Sequence, residues 1–509
     1  MGMTTIIQGM KRASSTFAPV IAVHRGNREP LHRQIYDAYR ELIVNHNLRP
    51  GQQIPSTRGL ASELKISRIP VLAAYSQLLA EGYIEARQGS GTFIRSSLPD
   101  QIVLSQQRAM RSRPGGAAPR RIAQRALRLP PYDTLPWLGG VGAFSIGEPA
   151  YDQFPFRVWS HLVLRHCRNP RASDLRYGSP LGSERLREAI CSYLRTARAV
   201  RCDPEQVMIV GGSQQALEIS ARVLLDAGSS VWVEEPGYWL TGHVLRTGGC
   251  RLIPVPVDGE GIDVTEGIRR CRHARAAFVA PSHQFPLGAT MSASRRLQLL
   301  DWAEAAGAWI VEDDYDSEYR YGAMPVASLQ GLDHNARVIY AGTFSKTLFP
   351  SLRIGFLVIP QDLVGRFAAI RHAMDLGPPY LHQAVLADFI NEGHFARHIR
   401  RMRLLYSERR AVLVASINKE LGAGAAVLGS EAGMHLVVAL GKRFRDTELA
   451  RRAARERLWL APLSPAYFGK PSRRGFILGF GSTPAAEIPD ALRRLKKLLS
   501  PHGGPEASQ

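Results

Sequence analysis

From about residue 140 onward the chain repeats one pattern. Short Val/Ile-rich runs (VMIV, SVWVEE, LIPVPV, AAFVA, AWIVEDD, RVIYAG and IGFLVI) alternate, in several places, with longer helical stretches such as SASRRLQLLDWAEAAG. Runs that are apolar at successive positions are buried on both faces, and strands connected through helices run mostly parallel. The region is therefore expected to be an α/β domain, a mostly parallel sheet with helices on both faces, followed by a smaller C-terminal α+β subdomain. Ahead of it, residues 99 to 131 (PDQIVLSQQRAMRSRPGGAAPRRIAQRALRLPP) mix Arg, Pro, Gly and Ala without sustained periodicity and read as a linker. Residues 30 to 95 have a third texture, short amphipathic segments with tight turns. The expected organisation is a domain over 25–97, a basic linker over 98–135 and a large domain over 136–505.

In the first segment, LHRQIYDAYRELIVN places Leu31, Ile35, Ala38/Tyr39 and Leu42/Ile43 on one helical stripe. Ser56 stands at the N-cap of a short helix through Leu64, and Ser67 at that of a third running to about Ala80. YIEARQGSGTFIR then gives two strands around a glycine-containing turn. Three helices and a hairpin make a winged helix-turn-helix, in which the second helix of the motif enters the major groove and the wing meets phosphates.

Charge agrees with that partner. The 65 Lys/Arg against 44 Asp/Glu give +21. Residues 1–98 hold twelve basic against six acidic side chains, and 99–131 hold seven Arg against Asp100 alone. A basic end of this kind favours a polyanion such as double-stranded DNA. No apolar run approaches the ~18 residues of a spanning helix, and the first ten residues lack the parts of a signal peptide, so no membrane role and a cytoplasmic location are expected. The five cysteines form no CxxC pair and are read as buried thiols rather than a disulfide or zinc framework.

The chemistry concentrates in the large domain. TFSKTLFPSLRIGF, residues 343–356, sits between two expected strands. A lysine that is to form a Schiff base needs an anchored backbone and a lowered pKa; Lys346 directly follows a strand, and Ser345 and Arg353 offer a hydroxyl and a forked cation to a phosphate. AWIVEDDYDSEYRY ends a buried strand in acids. Alternation puts Asp313 and Tyr315 on one face and Asp314 on the other, so Asp313 can hold a pyridine nitrogen protonated while Tyr315 meets the ring oxygen. Clustered acids at a strand end also suit magnesium. VMIVGGSQQALEISARVLL is strand, glycine turn and helix, whose start, with Ser213 and Gln214, can take phosphate. Tyr238 in EEPGY can stack on a ring or serve as a core tyrosine. Combined, these residues describe a pyridoxal 5′-phosphate site.

The N-terminal motifs LRPGQQIPSTRGLASELKISR and AEGYIEARQGSGTF closely resemble the GntR-type DNA-binding domain. The resemblance implies DNA contacts from Arg58, Ser67 and Arg68, with Gly89 and Gly91 letting the wing approach the backbone. The family usually has polar residues after Ser-Arg; this chain has Ile69, Pro70, Val71, Leu72 and Ala73. The large domain resembles fold type I aminotransferases over roughly 140–500. By motif, that implies Lys346 as the Schiff-base lysine, Asp313 and Tyr315 as the ring nitrogen and oxygen partners, and Ser213, Gln214, Ser345 and Arg353 as the phosphate cup. Tyr177 in RYGSPLGSERLREAI resembles the tyrosine that reaches a neighbouring subunit's phosphate, implying a homodimer. PSHQFPLG stands where such enzymes have an Asn-Pro-x-Gly turn, making His283 and Gln284 candidate cofactor contacts, with Phe285 and Leu287 as departures.

The fusion of the two halves resembles the MocR regulators, which implies a transcription regulator sensing pyridoxal phosphate or an amine or amino acid that reacts with it. A working aminotransferase is the alternative. Against full turnover, RRGFILGFG has Ile477 where aminotransferases place a carboxylate-binding arginine, and Arg473 and Arg474 lie too far along the strand to replace it. Leu240 adds apolar surface to the ligand wall. No metal site is expected: His394 and His398 have helical i, i+4 spacing but no third ligand and read as a basic solvated face, and His435 reads as a strand residue near a domain interface.

Overall fold

The computed structural model describes residues 21–96 and 121–500, apart from 25, 27–28, 46, 131–134, 139, 141, 169, 322–326 and 442. The chain divides into two compact units, one ending at Arg121 and the other beginning at Ile122. Most of the expected linker lies outside the described residues. Its described end, a 3-10 turn at Gln124–Arg128, belongs to the second unit, where the Arg128 guanidinium donates to the Arg246 carbonyl at 3.1 Å.

In the first unit, helices α1 (Leu31–Val44), α2 (Thr57–Glu63) and α3 (Arg68–Ala80) enclose Ile35, Tyr39, Ile43, Leu60, Val71 and Leu78. Ser56 caps α2 by accepting from the Gly59 amide at 3.1 Å. Ser67 occupies the N-cap of α3 without a side-chain cap bond, so its exposed hydroxyl is not consumed by the helix. The wing is a three-stranded sheet rather than a bare hairpin: β3 (Gly91–Ile94) pairs antiparallel with β2 (Ile84–Arg87) and with β1 (Gln53–Ile54). The two residues of β1 were too short a run to register as a strand in the sequence. At the wing turn Gly89 and Gly91 have φ of +75° and +113°, left-handed backbone that favours glycine.

The second unit is built on an eight-stranded sheet in the order β4-β11-β10-β9-β8-β5-β6-β7. The strands are β4 (Val207–Val210), β5 (Ser230–Glu235), β6 (Arg251–Asp258), β7 (Gly261–Ile262), β8 (Ala276–Val279), β9 (Trp309–Asp314), β10 (Val338–Thr343) and β11 (Gly355–Val358). The central pairs from β10 to β6 are parallel; β11 and β7 are antiparallel to their neighbours. The period of two divides each strand between two layers. Val231, Val233, Phe278, Val311 and Ala341 face the helices Ser213–Leu224, Trp239–Thr247 and Val364–Asp375. Trp232, Ala277, Val279 and Ile310 face Val264–Cys271 and Ala293–Ala306. Both faces are thus covered, as uninterrupted apolar strands require.

A second, antiparallel sheet, order β12-β13-β15-β14, completes the unit with β12 (Ala426–Leu428), β13 (His435–Leu440), β14 (Ala461–Pro462) and β15 (Arg474–Gly479). It packs with the helices His394–Leu421, Asp446–Arg455 and Ile488–Leu499. Among the described residues, no helix is long and apolar enough to cross a membrane. Of the cysteines, Cys191 and Cys202 are buried as expected, Cys250 and Cys271 are only half-buried, and Cys167 is exposed, because it falls near the end of helix Phe156–Arg168 beyond that helix's apolar stripe.

Candidate functional site

Parallel strands deliver their C-terminal ends to one side of a sheet, and the loops that follow β4, β5, β8, β9 and β10 enclose a cavity of about 460 Å³. Lys346, Asp313, Tyr315, Ser213, Gln214, Tyr238, Ser345 and Arg353, eight residues expected from the sequence, all line it. Leu240 lines it too.

Lys346 lies three residues past β10. Its loop is held from below: Tyr319 Oη donates to the Lys346 carbonyl at 3.5 Å, and His398 Nε2 lies 3.0 Å from the Thr347 carbonyl. His398 is therefore buried rather than part of a solvated face, and burial pulls its pKa down to about 4. Helix His394–Leu421 is long enough to turn that side toward the core, which i, i+4 spacing alone does not reveal. The lysine ammonium donates to the Gly147 carbonyl at 3.2 Å. Gly147 has φ +71°, left-handed backbone that favours glycine, and a Cβ there would fall 2.3 Å from Nζ and displace the amine from this position. Burial lowers the Lys346 pKa, against the opposing pull of Glu148, Asp316 and Asp313.

β9 divides its acids as its alternation dictates. Asp314 turns away from the cavity into a buried network, accepting from Arg198 at 2.7 and 2.9 Å and from Tyr340 Oη at 2.6 Å. Asp313 faces the cavity. Its Oδ1 is buried without a partner among the described residues, and burial, with Asp314 and Asp316 nearby, raises its pKa to about 7. Tyr315 Oη lies 3.2 Å from His283 Nδ1, which also meets the two Asp316 oxygens at 2.9 and 3.1 Å. His283 thus stands behind Tyr315 rather than in the cavity wall.

At the other end, Ser213 and Gln214 open helix Ser213–Leu224, and Gln214 Oε1 is buried without a partner among the described residues. Ser345 Oγ accepts from Thr343 Oγ1 at 3.0 Å. Arg353 forms no ion pair with a described carboxylate. Hydroxyls, a helix start and an uncommitted guanidinium suit a phosphate, while a buried carboxyl lacking a donor suits a protonated ring nitrogen. The residues present therefore fit a phosphorylated pyridine.

Several lining residues escaped the sequence reading: Glu234, Asp316, Thr343, Met434 and His435. Burial raises the Glu234 pKa to about 8. His435 begins β13 with its ring 4.7 Å from that of His283, so it belongs to this site as well as to the second sheet. Besides His283, two further expected partners lie outside the cavity wall. Tyr177 is 88% exposed and does not line the cavity. Gln284 is buried, donating to the Pro236 carbonyl at 2.8 Å and buttressing the Phe285 turn. Ile477 is buried in β15 between Val437 and Ala461, and neither Arg473 nor Arg474 lines the cavity.

In the small unit, Arg58, Ser67, Arg68, Gly89 and Gly91 are all exposed, and Arg68 Nε donates to Thr57 Oγ1 at 3.0 Å across the turn between α2 and α3.

Residues 31–94 match the family of bacterial regulatory proteins of the gntR type, and residues 141–486 match aminotransferase class I and II. A probable rhizopine catabolism regulatory protein, MocR, of Rhizobium meliloti is 40% identical over 94% of this chain and 95% of its own length. The chain belongs to the MocR group of GntR-type regulators. Another relative of this MocR-type chain, the pyridoxine biosynthesis transcriptional regulator PdxR of Corynebacterium glutamicum, is 30% identical over 88% of the chain and 91% of its own. Among solved structures, the α-aminoadipate aminotransferase LysN of Thermus thermophilus, complexed with N-(5′-phosphopyridoxyl)-L-leucine, superposes with a TM-score of 0.68 at 28% identity, covering 74% of this chain and 97% of the enzyme. The MocR-type chain is accordingly a DNA-binding transcription regulator with a fold type I aminotransferase body.

Proposed function

We propose that the large unit binds pyridoxal 5′-phosphate at Lys346, and that occupancy of this site, by the cofactor or by an amine or amino acid reacting with it, alters how the small unit engages double-stranded DNA. The observation that carries the reading is the meeting, in one cavity, of an amine depressed by burial, an unpartnered buried carboxyl and a cluster of phosphate-type donors. When bound, the cofactor supplies an aldehyde and an electron-withdrawing ring. The chain supplies the rest. Arg353, Ser213, Gln214 and Ser345 hold the phosphate, Asp313 faces the ring nitrogen, and Tyr315, backed by His283, hydrogen-bonds the ring oxygen. Tyr238 packs on the ring face. Tyr177 completes the phosphate site of a neighbouring subunit in a homodimer.

Regulation rather than full turnover is favoured by the cavity's charge. Among the described lining residues the lysine and arginine cations are Lys346 and Arg353, both occupied by the cofactor in this reading, and Ile477 leaves no cation at the place where an amino-acid carboxylate would be held. A ligand can shift DNA binding only by interacting differently with the two conformations, so the effector is the cofactor itself or a compound whose acid group is weakly held.

The test is direct. Borohydride reduction after incubation with pyridoxal phosphate is expected to leave a pyridoxyl group on Lys346 by mass spectrometry, absent in Lys346→Ala, and footprinting upstream of the protein's own gene is expected to change with the cofactor. No adduct at Lys346 would sink the sensor reading. Multiple turnover with a 2-oxo acid would replace it with that of an aminotransferase.

A further inference from the structure

A helix that reads bases usually presents charged or amide side chains outward. α3 does not. In RIPVLAAYSQLLA the one charged residue is Arg68. Val71, Ala74, Tyr75 and Leu78 are buried against the unit's core, and the opposite face shows Ile69, Leu72, Ala73 and Ser76 to solvent. Ile69 is 76% exposed and Leu72 42%. Ile69, Leu72 and Ala73 together leave an apolar strip on the outer face of α3 that a partner surface can cover.

The surroundings identify its chemistry. The first turn of α3 is tied to that of α2 through Arg68 and Thr57, and the residue after Thr57, Arg58, is exposed. The wing tip is tied to the strand leading into α2, with Gln53 Nε2 donating to the Ser90 carbonyl at 2.9 Å. Arg49, Lys65, Arg87 and Arg95 are exposed on this unit as well. An apolar strip on a unit so rich in cations fits a surface with apolar spots between phosphates. The major groove offers such spots, the C5 methyl groups of thymine.

We infer that α3 reads its operator through thymine methyls, with Ile69, Leu72 and Ala73 packing on them and Arg68 as the main hydrogen-bonding reader. Specificity then comes from where thymines stand in each half-site more than from bidentate contacts, and the phosphates supply the bulk of the affinity.

The full-length protein is used to select duplexes from a random pool. The best duplex is then remade with deoxyuridine at each thymine position in turn, which deletes one methyl and keeps the pairing. Replacement at the contacted positions is expected to weaken binding roughly four-fold each, the equivalent of one buried CH₂ group. Ile69→Ala should weaken binding to the thymine duplex and abolish the penalty at one such position; an effect of the methyl on DNA shape would persist in the variant. Because Ile69 is exposed, the variant leaves the fold intact. Binding indifferent to uracil throughout, or an unchanged penalty in Ile69→Ala, overturns the inference and leaves the strip to a protein partner. Failure to enrich any sequence overturns it too, since phosphate attraction would then account for all DNA binding.

Discussion

Asp313 and Glu234 are carboxyls kept in a place that disfavours their charge. Burial lifts Asp313 to about 7 and Glu234 to about 8, and Glu312 and Glu318 behind them reach about 7 for the same reason. Each folded value lies above its unfolded one, so over the intervening pH range the folded chain holds protons that the unfolded chain has released. Their stabilising contribution is complete below the unfolded pKa near 4 and is lost as pH rises through 7 to 8. The unliganded protein should therefore lose thermal stability between about pH 5 and pH 8 and level off above that, and Glu234→Gln, which keeps an acceptor for the Ala280 amide, should flatten that slope and raise Tm at pH 8. Melting curves across this range decide the matter, and equal slopes would refute the assignment. Asp313 should respond to the cofactor as well. A protonated ring nitrogen favours its ionised form, so Asp313→Asn is expected to weaken pyridoxal phosphate by about 1.5–3 kcal/mol, on the order of 10- to 150-fold, in a spectrophotometric titration.

At the scale of the element, β9 aims Asp313 and Tyr315 into the cavity because Asp314, between them, is locked from behind. Arg198 and Tyr340 both bind Asp314 in a space with almost no solvent, and Arg198 also donates to Ser282 Oγ at 2.7 Å. Removing one side of a buried ion pair leaves the other charged and unpaired. Asp314→Ala is expected to cost about 3–5 kcal/mol in denaturant unfolding; a loss below about 1 kcal/mol would mean that the network is not what holds the strand end. This division of acids was legible in the sequence, since alternation in a strand is local and EDDY shows it. The same holds for α1 to α3 and for the strand-turn-helix at Ser213. Glu234, Asp316, Met434 and His435 were not legible, because the cavity joins them from segments far apart in the chain, and no local period records which loops meet. His398 failed for a related reason. Its i, i+4 spacing is local, but which face of a 28-residue helix is covered depends on Thr347 and its neighbours, far back along the chain.

For the molecule as a whole, the site is incomplete in one chain if Tyr177 serves the cofactor of a second. Its phenol is exposed, in a surface hollow it shares with Tyr380 and Asp375 rather than in the cavity of Lys346. The neighbouring Leu175, 75% exposed, gives that region the apolar character of a surface awaiting cover. The arrangement makes a prediction that separates shared from self-contained sites. In the proposed homodimer, Lys346→Ala and Tyr177→Phe are each expected to damage both sites, the first by removing the amine, the second by weakening the hold on the phosphate. In a mixed dimer of the two variants, one site has lost its lysine, and the other keeps Lys346 beside a position-177 side chain whose chain of origin decides the affinity. If the tyrosine crosses between subunits, the Lys346-bearing chain receives its phenol from the Lys346→Ala chain, and one site in two regains normal affinity. Titrating pyridoxal phosphate into purified mixed dimers should then give half the wild-type stoichiometry with tight binding. Uniformly weak binding would place Tyr177 in its own chain's site and remove the reason for coupling cofactor occupancy to the pairing of the two DNA-binding units.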